Sequence, residues 1–426
     1  KPHVFFSCTQ TTDPVQLRNF SARVLREDIP AKSYITEFTD WERAFRAVRE
    51  LPYGDRKKLL VIDEFPYMCR GNKSIPSILQ NLWDAELRDA NVMIILCGSA
   101  MSFIEKELLA EKKPLYGRAT GIYKMKEMGF YDAAKFFPDY SDRDKVLAYA
   151  VLGGIPHYLR QWNPGLSIDE NIKRNILTKG CILYSEVEFL LHQELRETPI
   201  YNSIIEAVAL GNTKLNDISQ KSLVEDTSKT SVYLKNLIEL GIVEREFSVD
   251  AKTKEQANSG RGAYRLTDNF FRFWYRFVPI NMSAIDSGRI AKTYPHAVKQ
   301  YLPDYMGLIY EKMCQDYLLY YSDSLPIELS EIGQWWGTDP KKKKQIQIDI
   351  VGTPVEGKDY IIGSCKYRNE KIGVDELDLI RDYASVFGKG NNYHYYIFSK
   401  GGFTDGLLQA QERGEVRLIT LEDLYK

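Results

Sequence analysis

Residues 59–65 read LLVIDEF, and this stretch decides the fold of the first part of the chain. Four apolar residues, Leu59–Ile62, lead directly into two adjacent carboxylates, Asp63 and Glu64. A short apolar run of this kind is typical of a buried parallel strand. Acidic side chains at the carboxyl end of such a strand are suited to hold a metal-bound nucleotide and a water molecule. The stretch therefore predicts half of a nucleotide site.

The composition limits the class of protein. With 426 residues the chain is too long for one core, and its 44% apolar and 27% charged residues are ordinary for a folded protein. The 57 basic and 58 acidic residues nearly cancel, so any nucleic-acid surface would have to be local. Six cysteines without a CxxC pair favour reduced thiols in a cytoplasmic protein. No apolar run reaches the roughly 18 residues of a membrane span.

Strands and helices alternate around the opening stretch. Further strands are predicted at residues 3–8 and 92–97, with helices near 14–25, 39–51 and 77–90 between them. This alternation is typical of a parallel α/β sheet. From residue 130 to about 195 the pattern becomes helical and is interrupted by GGIP at 153–156.

A nucleotide site of this kind also needs a phosphate loop of the GxxxxGK[ST] type, because backbone N–H groups must converge on the anion. Only Gly54 precedes Asp63, and no such loop occurs in the 426 residues. The chain begins with Lys1 rather than Met, and its first strand enters in the middle of a domain. We therefore expect a strand and the phosphate loop to lie upstream of Lys1.

Residues 200–268 change character. Helices are predicted at 200–210, 215–222 and 227–240, followed by strands at 242–249 and 263–268. Three helices and a two-stranded hairpin indicate a winged helix-turn-helix, whose third helix normally enters the major groove of DNA. That helix carries the apolar residues Val232, Leu234 and Leu237 for the core.

The candidate contacts to DNA lie on the third helix and in the loop of the hairpin. They are Lys229, Thr230, Lys235 and Arg261. Acidic residues nearby weaken the basic field, so a role of the same module as a nucleotide-dependent hinge or protein contact stays open.

Several motifs in one order carry a resemblance over nearly the whole chain. They are LLVIDEFPY (59–67), IILCGSAMSFIEKELL (94–109), PLYGRAT (114–120), LGGIPHYL (152–159) and LLHQELRETPIYNSIIEAVALGNTKLNDIS (190–219). The chain resembles the archaeal-type ATPase family, which is also found in bacteria and is related to the AAA and STAND ATPases. The resemblance implies ATP and Mg²⁺ as cofactors.

The resemblance also implies roles for individual residues. Asp63 resembles the acid that orients the magnesium ion, and Glu64 resembles the catalytic base. Ser99 stands where a polar residue senses the γ-phosphate, and Arg118 resembles the arginine that reaches the phosphates. Gly154 and Pro156 look like a lid turn that closes over the base.

The last part of the chain resembles the restriction-endonuclease-like PD-(D/E)XK fold. Helices at 307–320 and 374–387 and strands at 346–351, 360–365, 393–398 and 416–419 are predicted. In that fold an Asp and a Glu hold magnesium and a Lys positions the attacking water. The corresponding candidates are Asp349 and Glu311 as metal ligands and Lys366 as the catalytic lysine.

The expected carboxylate two residues before Lys366 is missing, because Ser364 occupies that position. A hydroxyl binds a hard cation poorly. The sequence therefore leaves two interpretations open, a working nuclease and a degraded fold kept for binding.

Together these patterns predict an α/β protein with four parts. They are an N-terminally truncated P-loop ATPase core (1–127), a helical lid (128–198), a winged helix-turn-helix (199–280) and a nuclease-like mixed α/β domain (281–426). The leading hypothesis is an ATPase whose nucleotide state controls the last two parts on double-stranded DNA. The alternative is a signalling or scaffold switch whose inactive nuclease-like domain binds a protein partner. The oligomeric state stays open.

Overall fold

The computed structural model describes residues 3–98, 103–104, 108–195, 197–224, 226–249, 262–388 and 391–426. The chain divides into two units, Lys1–Met125 and Lys126–Lys426. Each unit has hydrophobic clusters of its own. The predicted subdivision of residues 128–426 into three domains stays a prediction.

The first unit is built on a parallel three-stranded sheet. Its strands are β1 (His3–Ser7), β2 (Lys58–Asp63) and β3 (Val92–Leu96), and β2 lies in the middle. Both neighbouring pairs are parallel, which confirms the predicted parallel α/β sheet. The helices of this unit are α1 (Asp13–Val24), α2 (Trp41–Arg46), α3 (Phe65–Gly71) and α4 (Ile75–Leu82).

The two faces of this sheet differ. Alternate side chains such as Val4, Phe6 and Leu60 are buried in the core that the helices complete. On the opposite face Phe5 is 45% exposed and Met93 is 49% exposed. Parallel sheets are normally covered on both faces, whereas the described residues leave these side chains on the second face partly exposed.

The second unit begins with short helices and ends with a mixed α/β sheet. Its first helices are α5 (Phe130–Ala133), α6 (Asp142–Leu152), α7 (Pro156–Leu159), α8 (Ile168–Asn175) and α9 (Ile182–Glu194). Ser141 and Ser167 accept hydrogen bonds from the first turns of α6 and α8, which satisfies backbone donors at both helix starts.

Three helices and an antiparallel hairpin follow. They are α10 (Thr198–Ala209), α11 (Leu215–Lys221), α12 (Thr227–Glu239), β4 (Val243–Glu246) and β5 (Ala263–Leu266). The predicted element order is therefore present, while its assignment as a winged helix stays a prediction. Four further helices are α13 (Asn269–Phe277), α14 (Met282–Asp286), α15 (Ile290–Ala297) and α16 (Leu302–Tyr320).

The last part of the unit is a five-stranded mixed sheet with the order β10-β9-β8-β7-β6. Its strands are β6 (Leu329–Asp339), β7 (Lys344–Pro354), β8 (Asp359–Lys366), β9 (Asn392–Ser399) and β10 (Arg417–Thr420). The strands β6, β7 and β8 are antiparallel neighbours, whereas β8, β9 and β10 run parallel. Helices α17 (Val374–Phe387) and α18 (Asp405–Glu412) connect the parallel strands.

A search of the helices in the described ranges finds none that is both long and apolar enough to cross a membrane.

Candidate functional site

The carboxyl ends of the three parallel strands meet at one edge of the first sheet. Ser7 is paired with Asp63 in the ladder between β1 and β2. The Cys8 amide donates to the Asp63 carbonyl over 2.9 Å, and the Cys97 amide donates to the Ile62 carbonyl over 3.0 Å. Asp63 is half-buried, so its carboxylate lies at the edge of the sheet and is not sealed in the core.

Glu64 forms a sharp junction between β2 and α3. Its backbone has φ 51° and ψ 42°, in the left-handed region that a glutamate rarely adopts. The next amide, that of Phe65, donates to the Cys97 carbonyl over 2.9 Å and fixes the turn to β3. Uncommon backbone conformations of this kind cluster at functional sites. The junction therefore marks the acidic pair as a candidate site.

Arg118, the predicted phosphate-binding arginine, lies in the first unit and is held by Asp84. Its Nη2 lies 2.6 Å from Asp84 Oδ2, and its Nη1 donates to the Pro114 carbonyl over 3.0 Å. It borders an apolar cavity of about 230 Å³ whose lining includes neither Asp63 nor Glu64. Ser99, the predicted γ-phosphate sensor, lies outside the described residues.

The predicted lid turn, Gly154 and Pro156, lies in the second unit. The Gly154 amide donates to Glu127 Oε2 over 3.0 Å, and its carbonyl accepts from the Met128 amide over 3.0 Å. A Cβ at position 154 would lie 1.8 Å from the Met128 carbonyl oxygen. Glycine is therefore required here for close approach of two backbone segments.

The predicted DNA contacts on α12 divide into two groups. Lys229 and Lys235 are exposed, whereas Thr230 is buried and its hydroxyl donates to the Asp226 carbonyl over 3.1 Å. Arg261 lies outside the described residues. The prediction that Val232, Leu234 and Leu237 all face the core is wrong for Val232, which is 59% exposed. Leu234 and Leu237 are buried, as predicted.

In the second sheet Asp349 and Ser364 face each other across β7 and β8. Ile350 is paired with Gly363 in this ladder, which places their neighbours Asp349 and Ser364 opposite each other. Asp349 Oδ2 accepts from the Cys365 amide over 3.0 Å and lies 3.4 Å from Ser364 Oγ. The nuclease motif has a carboxylate at position 364, and Ser364 faces Asp349 there.

A carboxylate that the motif does not predict, that of Glu376, lies beside Ser364. Glu376, in the first turn of α17, is buried, and its Oε1 accepts a hydrogen bond from Ser364 Oγ over 2.7 Å. Lys366 Nζ lies 3.1 Å from the same Oε1 and 3.9 Å from Asp349 Oδ2. Two carboxylates, a serine and a lysine therefore form one cluster.

The charged groups in and beside this cluster shift the pKa values of their neighbours. Burial alone would lower the pKa of Lys366, but the carboxylates of Asp349 and Glu376 raise it above its ordinary value. Burial, and then the charge of Asp349, raise the pKa of Glu311 to about 8. Glu311 accepts a hydrogen bond from Gln334 Nε2. The neighbouring carboxylates thus favour the charged form of Lys366, and burial favours the protonated form of Glu311.

Within the described ranges no group of three or more His, Cys, Asp or Glu side chains is arranged to hold a metal ion. Mg²⁺ commonly takes only one or two carboxylates from a protein and completes its shell with water and phosphate. The acidic pair at 63–64 and the pair Asp349 and Glu376 are both of that smaller size.

Comparison with known proteins supports the first part of the prediction. Residues 2–162 match the model of an ATPase domain found predominantly in Archaea. The chain therefore carries an ATPase-like domain. Asp63, Glu64 and Arg118 all lie in this matched segment. Residues 274–377 match a second model, described as archaeal and bacterial proteins of unknown function, and this segment contains Asp349, Lys366 and Glu376.

Individual relatives share long or short parts of the chain. The uncharacterized protein MJECL04 of Methanocaldococcus jannaschii is 28% identical over 435 residues, which cover 99% of this chain and 90% of that protein. The uncharacterized protein MJ0424 of the same organism is 39% identical over 56 residues, 13% of this chain and 53% of that protein. A Walker-type ATPase of Pyrococcus abyssi is 18% identical in sequence. The structural match covers 65% of this chain and 84% of that chain, with a TM-score of 0.44.

Proposed function

We propose that the protein binds Mg²⁺-ATP and hydrolyses it at the carboxyl edge of the first sheet. The observation that carries this proposal is the position of Asp63 and Glu64. Asp63 ends the central strand of a parallel sheet, and Glu64 forms the left-handed junction to the next helix. Ligands of open parallel sheets bind outside the carboxyl ends of the strands. The match of residues 2–162 to an ATPase domain supports the same reading.

The chemistry of the donors fits the cation and water half of such a site. Asp63 is proposed to orient the hydration shell of Mg²⁺, and Glu64 to orient and polarise the attacking water. Mg²⁺ supplies charge that stabilises the transferring phosphoryl group. Ser99 and Arg118 are proposed to contact the phosphates, which requires Arg118 to leave Asp84.

The proposed site also needs a phosphate cradle, and one stretch of the sequence has nearly the required spacing. The stretch Gly352–Lys358 has the spacing GxxxxGK, but Asp359 follows in place of Ser or Thr. It also runs from the end of β7 into the turn before the antiparallel strand β8, and not from a strand into a helix. It therefore does not fit a phosphate loop.

We propose further that the nucleotide state of this site controls the second unit in an action on double-stranded DNA. The exposed Lys229 and Lys235 on α12 support contact with backbone phosphates. Contact with a protein partner, as in a scaffold switch, is the alternative. Binding of labelled duplex DNA with and without ATP distinguishes them, because the Lys229→Ala and Lys235→Ala variants weaken DNA binding only under the first reading.

The ATPase proposal is tested by measuring phosphate release from ATP by the protein. We expect Glu64→Gln to lower kcat at least about 100-fold with little change in KM for ATP, because the base acts on the chemical step. Asp63→Asn should weaken Mg²⁺-dependent ATP binding. Glu50→Gln, an exposed glutamate in the same unit, is the control. Equal activity of Glu64→Gln and Glu50→Gln would overturn the proposal.

A further inference from the structure

We propose that a cavity in the second unit binds a free amino acid with an apolar or aromatic side chain. The cavity has a volume of about 500 Å³, within the range of roughly 300–1,000 Å³ that is usual for small-molecule pockets. The segment before α5, the hairpin of β4 and β5, and the helices α13 and α16 all contribute to its wall. Its lining includes neither member of the acidic pair at 63–64, so the proposal does not depend on ATP hydrolysis.

A buried amide in the wall of this cavity has an acceptor without a partner. Gln315 on α16 is 2% exposed and lines the cavity, and its Nε2 donates to the Asp349 carbonyl over 2.9 Å. Its Oε1 is buried and receives no hydrogen bond from any described residue. Buried acceptors are nearly always paired in folded proteins. We therefore infer that a donor for this oxygen comes from outside the chain.

Charged side chains of both signs line the cavity without pairing with one another. The Asp316 carboxylate has no hydrogen bond or ion pair within the described ranges. Arg272 donates from Nη2 to the Leu266 carbonyl over 2.7 Å, and its other guanidinium nitrogens have no partner in the described part of the chain. By contrast, Arg265 and Glu246 in the same wall bind each other. The unpaired groups therefore suit a ligand that carries both charges.

The surrounding protein makes these unpaired charges unfavourable. Burial raises the pKa of Glu127 and that of Asp316, and the charge of Asp316 raises the pKa of Glu127 further. Burial lowers the pKa of Arg272. In all three groups burial thus disfavours the charged form. An ammonium at the two carboxylates and a carboxylate at the guanidinium favour the charged form again, because each supplies the opposite charge.

The rest of the wall supplies apolar surface. The centroid of the Phe130 ring lies 6.4 Å from that of Tyr149 and 5.3 Å from that of Tyr321, and all three rings line the cavity. Leu308 and Met313 on α16 line it as well. Ligand pockets commonly combine such apolar surface with a few polar groups that fix the orientation of the ligand. This surface favours an apolar or aromatic side chain over a charged one.

The proposed ligand is held at both of its charged groups. Its ammonium is assigned to the carboxylates of Glu127 and Asp316, with one N–H donated to Gln315 Oε1. Its carboxylate is assigned to the guanidinium of Arg272, and its side chain to the aromatic wall. Because the ligand contacts the segment before α5 as well as α13 and α16, it binds the folded state alone and stabilises it by mass action.

Binding is measured first by thermal unfolding of the full chain with each of the twenty common L-amino acids. We expect at least one with an apolar or aromatic side chain to raise the melting temperature, and L-glutamate and L-lysine to leave it unchanged. Calorimetry then gives the dissociation constant of the amino acid with the largest effect. The proposal is overturned if none of the twenty raises the melting temperature, or if only the charged ones do.

The same titration is repeated on the wild type with the decarboxylated amine and the deaminated acid of that amino acid. Each of these analogues lacks one charge. We expect each to bind at least about 10-fold more weakly, because hydrogen bonds to charged groups are the stronger ones. An amine that binds as tightly as the amino acid excludes the role of Arg272. An acid that does so excludes the role of the carboxylates, and either result overturns the assignment.

A variant tests the acidic end of the cavity. Asp316→Asn keeps the shape of the side chain and removes its charge, and we expect binding to weaken at least about 10-fold. Asp304→Asn is the matched control, because it makes the same substitution on the same helix at an exposed residue outside the cavity. Urea midpoints of both variants separate lost binding from lost folding. Wild-type affinity in Asp316→Asn would contradict the proposal, and if this variant unfolds, the analogue titrations on the wild type decide.

Discussion

The guanidinium of Arg118 is clamped by the carboxylate of Asp84. Its Nη2 lies 2.6 Å from Oδ2, and its Nε lies 3.0 Å from each carboxylate oxygen. Paired N–H groups on one carboxylate form a bidentate contact, which fixes geometry as well as charge. An arginine held in this way is available to a phosphate only after the carboxylate releases it. Asp84 is therefore a competitor for the role proposed for Arg118.

Weakening this clamp should help nucleotide binding if Arg118 contacts the phosphates. We expect Asp84→Asn to lower the KM for ATP about two- to fivefold, the range typical of an exposed ion pair, with kcat little changed. Glu86→Gln is the matched control, because Glu86 lies on the same short helical segment and pairs instead with Arg46 and Arg49. An unchanged KM in Asp84→Asn would indicate that Arg118 has a purely structural role.

The close backbone approach at Gly154 predicts a large effect on stability. In Gly154→Ala the new methyl group would meet the Met128 carbonyl at 1.8 Å, and the backbone must move to relieve this overlap. We expect a loss of about 3 kcal/mol in the free energy of unfolding, measured by urea denaturation. Gly307→Ala is the control, since no atom lies within 4 Å of its added Cβ. It should stabilise α16 by about 1 kcal/mol. Equal midpoints for the two variants would contradict the reported packing.

Asp268 should make stability depend on pH. Burial, and then the charge of Glu127, raise the pKa of this carboxyl to about 7, against about 3.9 in an unfolded chain. Between these values the folded state holds a proton that the unfolded state releases, so stability falls as the pH rises toward 7. Asp268→Asn removes this penalty and should gain at most about 4 kcal/mol at pH 8, and little at pH 4.

The matched control for this prediction is another helix cap. Asp268 Oδ1 accepts from the Phe270 amide over 2.6 Å, and an asparagine can accept the same bond. Asp226 caps α12 in the same manner but is exposed, so Asp226→Asn should show no comparable gain between pH 4 and 8. Urea unfolding at both values decides the matter. A gain for Asp268→Asn that is equal at pH 4 and pH 8 would refute the assignment.

The spacing of apolar residues in the sequence predicted those helices and strands in which this spacing is regular. The run LLVIDEF correctly predicted β2, because a central strand needs an unbroken apolar stretch. The strand β6 was missed, although it has 11 residues. Its ladder with β7 shifts register between Gly333 and Trp335. A bulge of this kind interrupts the alternation of faces on which strand prediction depends.

The candidate site in the second sheet was predicted only in part, for a different reason. Asp349 and Lys366 follow from the motif on the two strands, but Glu376 belongs to the helix that follows them. Its role depends on where α17 begins relative to β8, which no residue pattern specifies. An acidic residue on the first turn of a helix is usually explained by the helix dipole. The hydrogen bond from Ser364 distinguishes Glu376 from an acidic residue that only stabilises the start of a helix.

The open face of the first sheet has a practical consequence for handling the protein. Phe5, Met93 and Ile95 project outward from it, and in the described residues β1 and β3 are edge strands. An expressed fragment limited to residues 1–125 would combine an exposed apolar surface with edge strands that can pair with another chain. Both features promote aggregation. Crystallisation trials on the second unit alone avoid this hazard, since its clusters are formed by its own residues.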